Sequence, residues 1–162
     1  MVTNPGVPQE IMDLAEMSPL EDVALYILRQ SIKTVPIYSL IPEAVQSDAF
    51  IVVRKSFPFG IWSGDPRFVD QTDLEVHVFA RNPDGDARCA VISEAVRVVM
   101  HRAWMDNLHI PGRGYVSRCE MVSEPARKTD WASSTGPVQY ADLPEGFWRY
   151  ETKYSLTIRR QR

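Results

Sequence analysis

The sequence predicts an α+β domain in which a mixed, mostly antiparallel sheet of about four to five strands packs against two main helices. Three observations predict it. Residues 73–80 alternate between apolar and polar side chains, as a half-buried strand does, and residues 86–108 then repeat apolar side chains at helical spacing. Residues 147–160 close the chain with its longest alternation of this kind.

One domain is predicted, running from residue 18 to residue 162. A chain of 162 residues is long enough to bury a core without disulfides or metals. Residues 1–17 show little pattern, so they are predicted to form a tail with one short helical turn around residues 9–15.

The first main helix is predicted at residues 19–32. Ser18 is placed to cap it, Pro19 takes the first helical position, and Glu21 follows the cap by three residues as in a capping box. The helix must end before Pro36, because a proline disfavours the helical conformation in the residue that precedes it.

Strands and loops fill the rest of the chain. Strands are predicted at residues 35–41, 49–55, 67–80, 115–124 and 147–160. The first of them is predicted at the sheet edge, because Pro36 cannot donate a ladder hydrogen bond. Residues 109–114 are a breaker segment with Pro111 and two glycines, and residues 125–146 are predicted to form a long loop.

The unit at residues 73–108 joins a strand directly to the second main helix. The strand faces carry Leu74, Val76 and Val78 on one side and Asp73, Glu75 and His77 on the other. The apolar stripe of the helix is predicted to comprise Ile92, Val96, Val99 and Ala103, widened by Val91, Ala95 and Val98. Asp84 or Asp86 is placed to cap its first turn. This pattern predicts a sheet with a helix lying across it.

Composition excludes several classes of function. The formal net charge is −3 at pH 7, so sequence-specific nucleic-acid binding is not expected. The chain shows no signal peptide and no apolar run of membrane-spanning length, and a soluble, cytoplasmically made product is expected. Cys89 and Cys119 are therefore expected to be reduced thiols.

No catalytic, cofactor or metal site is predicted. Asp73, Glu75 and His77 share one strand face, and such a row can coordinate a hard cation. A solvated or subunit-facing polar face explains the same row, and it is the preferred interpretation. The chain shows no phosphate loop and no nucleophile with a paired base.

Aromatic loops are the candidate interaction surfaces. Aromatic side chains on long loops are enriched at protein interfaces, although they can also fold back over a satellite core. The predicted interface residues are Phe57, Phe59, Ile61, Trp62, Trp131 and Tyr140, together with Arg159 and Arg160 in the basic C-terminal cluster.

The arrangement resembles the tail terminator proteins of long-tailed, siphovirus-type bacteriophages, particularly those that infect actinobacteria. Four segments carry the resemblance across residues 18–160: the helix at 19–32, the Val-Pro-Ile-Tyr strand at 35–38, the strand and helix at 73–108, and the closing strand at 149–159. The tail and the loop at 125–146 do not match the pattern.

The resemblance implies a structural virion protein with no enzyme activity and no cofactor. Its subunits are expected to close into a homohexameric ring at the head-proximal end of the tail, after assembly in the host cytoplasm. Such a ring stops polymerisation of the tail tube. Its partners are other copies of itself, the major tail tube protein and the head–neck connector proteins.

Three alternatives remain open at this point. A head–tail joining or neck protein of the same virion shares the size and the α/β pattern. A small hydrolase would use Asp73, Glu75 and His77. A peptide-binding adaptor would bind its ligand at the edge strand around residues 35–40.

Overall fold

A computed structural model describes residues 6–14, 20–42, 44–56, 68–128 and 146–160 of the chain. Within those residues the elements follow in the order α1 (Gln9–Leu14), α2 (Leu20–Ser31), β1 (Ile37–Tyr38), β2 (Ala49–Lys55), β3 (Val69–Arg81), α3 (Gly85–Met105), β4 (His109–Ile110), β5 (Gly114–Lys128) and β6 (Phe147–Arg159).

The described strands form one mixed sheet in the order β1-β2-β3-β6-β5-β4, curled into a half-barrel. β1 runs parallel to β2, and every other neighbouring pair is antiparallel. Helices α2 and α3 pack on one face of the sheet. The predicted α+β class with a mixed, mostly antiparallel sheet is confirmed, and β1 lies at a sheet edge as predicted.

The described part of the chain holds six strands and three helices, more than the predicted four to five strands and two main helices. The additional strand is β4, which pairs with the start of β5 inside the segment predicted as a breaker. Two residues are too few to show a sequence period, so only the pairing reveals β4. The additional helix is α1, six residues long, where a helical turn was predicted.

The main core lies between the sheet and the two long helices. Alternate residues of the central strands are buried there, as the sequence alternation predicts for β3 and β6. The core strand residues include Ile51, Val53, Leu74, Val76, Val78, Tyr154, Leu156 and Ile158. Each fully buried aliphatic side chain of this size contributes about 1.5–3 kcal/mol relative to an exposed one.

Helix α3 is rotated relative to its predicted stripe. Val96 and Ala103 are buried as expected, but Val91 is 70% exposed and Val98 is 45% exposed. The buried line also contains Cys89, Ser93 and Met100, with Ile92 and Val99 half-buried beside it. Valines and alanines occur around most of the helix, so the pattern did not determine which side meets the sheet.

The caps differ from the prediction at α3. Asp84 occupies the N-cap position but makes no side-chain cap hydrogen bond. Asp86 instead accepts hydrogen bonds from the Tyr150 hydroxyl at 2.9 Å and from Arg127 at 2.7 Å. It therefore ties the start of α3 to β5 and β6. The predicted cap residue of the first main helix, Ser18, lies outside the described residues.

Strand β5 extends beyond its predicted end at residue 124. Pro125 lies within the strand, between Ser123 and Ala126, where the register with β6 shifts. A proline is tolerated at such an irregularity because one ladder hydrogen bond is already lost there. The predicted loop at 125–146 therefore begins no earlier than residue 129, and residues 129–145 lie outside the described part of the chain.

Candidate functional site

The sheet face opposite α2 and α3 carries a cluster of charged side chains. We call it the charged face and define it by Arg54, Glu75, His77, Arg149, Glu151 and Lys153. Strand register brings these residues together: Glu75 lies between Arg54 and Lys153, and His77 is paired with Glu151. Opposite charges placed across neighbouring strands stabilise a sheet, and like charges destabilise it.

His77 lies at the centre of the charged face and is only 4% exposed. The Arg149 Nε–H donates to His77 Nδ1 at 3.2 Å, so the proton of the neutral ring is on Nε2. That Nε2 lies 3.5 Å from a Glu75 carboxylate oxygen. Both ring nitrogens are thus engaged within the face.

The environment keeps His77 uncharged at neutral pH. Burial lowers its pKa to about 4, with a further lowering by the Arg149 guanidinium. The carboxylates of Glu151 and Glu75 act in the opposite direction and are outweighed. Protonation would also break the Arg149 hydrogen bond, because an imidazolium has no lone pair to accept it.

The carboxylates of the face are paired with cations. Glu151 lies 2.9 Å from Arg149 and 3.5 Å from Lys128, and Glu75 lies 3.1 Å from Lys153. Burial raises the pKa of Glu75, but Lys153 and neighbouring groups outweigh it and hold the pKa below its ordinary value. At neutral pH Glu75 is therefore ionised, and both carboxylates belong to one ion-pair network.

This geometry has little capacity for acid–base chemistry. A general base needs a free lone pair within reach of substrate and a pKa near the working pH, whereas His77 is buried with both nitrogens engaged. Among the described residues, no group of three or more His, Cys, Asp or Glu side chains is placed to hold a metal ion. Of the row formed by Asp73, Glu75 and His77, the last two belong to the ion-pair network.

The cysteines offer no nucleophile either. Cys89 and Cys119 are buried free thiols, as expected from the sequence. Burial raises the pKa of each to about 12. The thiolate is the reactive form, so neither side chain is reactive in the folded chain.

Of the predicted interface residues, only Arg159 and Arg160 fall within the described part of the chain. Arg159 ends β6 and is exposed, and Arg160 follows it with its backbone N–H donating to the Phe68 carbonyl at 3.0 Å. The remaining six lie outside it: Phe57, Phe59, Ile61, Trp62, Trp131 and Tyr140.

Sequence reasoning missed a second surface, a groove of about 650 Å³ between α3 and β5. We call it the α3/β5 groove. It is lined by Arg97, Val98, His101, Arg102, Trp104, Cys119, Glu120, Met121, Val122 and Tyr154. Its signal in the sequence was the excess of valine around α3, which was interpreted as a wide core stripe.

Comparisons with known proteins add little. No protein-family model matches the chain, and no curated protein matches it. One of the solved structures that do match shares 10% of its residues, with coverage of 97% of this chain and 99% of the other and a TM-score of 0.44. A likeness at that level indicates neither a shared fold nor a shared function.

In the described residues, no helix is both long and apolar enough to cross a membrane.

Proposed function

We propose that this chain is a tail terminator subunit of a long-tailed bacteriophage. Copies of it close into a ring, expected to be hexameric, on the head-proximal end of the tail tube. The ring stops polymerisation of the tube and offers a surface for head attachment.

The proposal depends on one observation above all. The four segments that carry the resemblance are α2, β1, β3 with α3, and β6, and they belong to one helix-backed sheet. α2 and α3 pack on the same face, and β3 pairs directly with β6 along thirteen residues. The segments thus form one structural unit, as a resemblance that spans residues 18–160 requires.

The charged face is consistent with a structural role. Its carboxylates are paired with cations, and its histidine is neutral at pH 7. The apolar side chains exposed on α3 and β5 point to contacts with other protein surfaces. A cyclic ring needs such surfaces, since each subunit presents one patch to a different patch of its neighbour.

The test is the native mass of the purified chain across a concentration range, with negative-stain images of the largest species. A discrete six-subunit ring that shortens tail tubes when added to polymerising tube protein is the expected result. A ring that leaves tube length unchanged but binds head connectors would instead indicate the neck protein. A chain that neither forms rings nor binds tubes contradicts the proposal.

The aromatic loop at residues 57–62 remains a proposed ring contact. Replacement of both Phe59 and Trp62 by alanine is expected to weaken ring formation. Unchanged rings in that variant would remove this loop from the interface and leave the terminator proposal intact.

A further inference from the structure

The α3/β5 groove lies on the two elements that carry most of the exposed large hydrophobic side chains of the described residues. Four of the seven exposed large hydrophobic side chains lie on its two elements, namely Val91, Val98, Met105 and Val122. Val98 and Val122 line the groove from opposite sides, with exposures of 45% and 60%. Such clustering on one surface marks a binding region, whereas singly scattered apolar side chains do not.

The floor of the groove contains an unsatisfied polar group. Tyr154 lines the groove and is 2% exposed. Within the described part of the chain, its hydroxyl is buried and has no hydrogen-bond partner. An unpartnered buried hydroxyl costs about 1–3 kcal/mol.

The rim of the groove has a positive charge excess. On the helix side, Arg97 lies 3.7 Å from Glu94, and Arg102 is exposed without an ion pair among the described residues. On the strand side, Glu120 is paired with Arg118 at 2.6 Å. Among the charged residues that line the groove, Arg97 and Arg102 stand against Glu120, with His101 beside them, and an acidic segment complements this rim.

The N-terminal segment of the chain has the complementary character. Residues 1–19 contain three carboxylates, Glu10, Asp13 and Glu16, and neither lysine nor arginine. In α1, Ile11 is 45% exposed, and Leu14 follows it at the spacing that places two residues on one helix face. A six-residue helix is far below the length of about 12–15 residues at which isolated helices become stable, so it needs a surface to pack on.

We propose that the α3/β5 groove binds the acidic N-terminal segment of a second copy of this chain. Ile11 packs against Val98 and Val122, and Glu10 faces the basic rim. The contact is head-to-tail, because it joins two different surfaces of neighbouring copies. It therefore repeats from one copy to the next and forms a ring when the rotations between neighbours add up to a full turn. The inference deepens the proposed function in that it names a contact between ring subunits.

Charge reversal on the full-length chain tests the pairing. Arg102→Glu is expected to raise the self-association constant Kd about tenfold. Glu10→Arg is expected to do the same, and the two together should return Kd to within about threefold of the wild-type value. Arg88→Glu is the matched control, because Arg88 is exposed on the same helix but does not line the groove. Kd is measured by sedimentation over a wide concentration range.

An apolar variant and a truncation complete the test. Val122→Asp is expected to weaken association at least about tenfold with an unchanged circular dichroism spectrum, because it places a charge in the apolar contact. Removal of residues 1–14 should abolish association. Monomeric wild-type chain at every concentration overturns the inference. A truncated chain that associates normally also overturns the inference. The same holds for a truncated chain that is less stable but keeps the native mass of the wild type.

The outcomes separate this inference from the proposed function. Rings that form and shorten tail tubes despite the Arg102→Glu and Val122→Asp changes overturn the groove contact and leave the terminator proposal standing. Rings that depend on the groove but leave tube length unchanged support the groove contact and contradict the terminator proposal.

Discussion

Acidification should destabilise the folded chain through His77. Its pKa falls from an ordinary value of 6.5 to about 4 in the folded state, and the side chain is almost fully buried. Each unit of pKa difference corresponds to about 1.4 kcal/mol, so protonation of His77 costs the folded state about 3 kcal/mol. An unfolded chain has no such cost, because its imidazole is solvated.

The sign and the pH window follow from this difference. Between pH 6.5 and pH 4 the unfolded chain binds a proton at this site and the folded chain does not, so the free energy of unfolding falls as the pH falls. Above pH 6.5 the site has little effect. At pH 5 the expected loss relative to pH 7 is about 2 kcal/mol. The pKa of Glu75 is also lowered, so measurements stay at or above pH 5, where that carboxylate remains ionised.

Urea unfolding at pH 7 and pH 5 measures the effect. The wild-type chain should lose about 2 kcal/mol more than His77→Gln, whose amide oxygen can still accept from Arg149 but cannot titrate. His101→Gln is the control, because His101 is exposed. Nuclear magnetic resonance should show the His77 ring titrating near pH 4. A midpoint near 6.5, or an equal loss of stability in His77→Gln, would refute this reasoning.

Three further predictions concern stability and reactivity. Gly85→Ala should destabilise the chain by about 1–3 kcal/mol in urea unfolding, because the added Cβ would lie 2.5 Å from the Ala80 carbonyl oxygen. Phe50→Ala should cost about 3–5 kcal/mol, since this ring stacks on a neighbouring phenylalanine at a centroid distance of 4.8 Å, and a loss below 1 kcal/mol would contradict that packing. The thiols of Cys89 and Cys119 should react with a chromogenic disulfide reagent only after unfolding; rapid labelling of the native chain would show that they are accessible.

The sequence predicted local features well where backbone geometry sets a strict period. Strand β2 has the bounds predicted from its β-branched and aromatic residues, and β6 begins at residue 147 as predicted. Strand side chains alternate with a period of two. One apolar row therefore identifies the buried face without knowledge of the neighbouring strands.

Helix α3 shows where that reasoning stops. Its existence was predictable, but its rotation was not, because valine and alanine occur on the side facing the sheet and on the side facing solvent. Val91 and Val98 were assigned to the core, yet they are exposed, and Val98 lines the α3/β5 groove. The groove exists because β5 lies beside α3, and the pattern of the helix alone does not show which of its sides meets that strand.

By itself, the sequence determined the α+β class, the placement of the main helices and strands, and the buried face of β3. The tertiary structure decided the sheet order, the two-residue pairing of β4 and the state of His77. His77 is the clearest case: its sequence neighbours place it on a polar strand face and do not reveal its burial. Its pKa is low first because the fold buries the ring away from water and second because β6 brings Arg149 against it, and neither effect is local in the sequence.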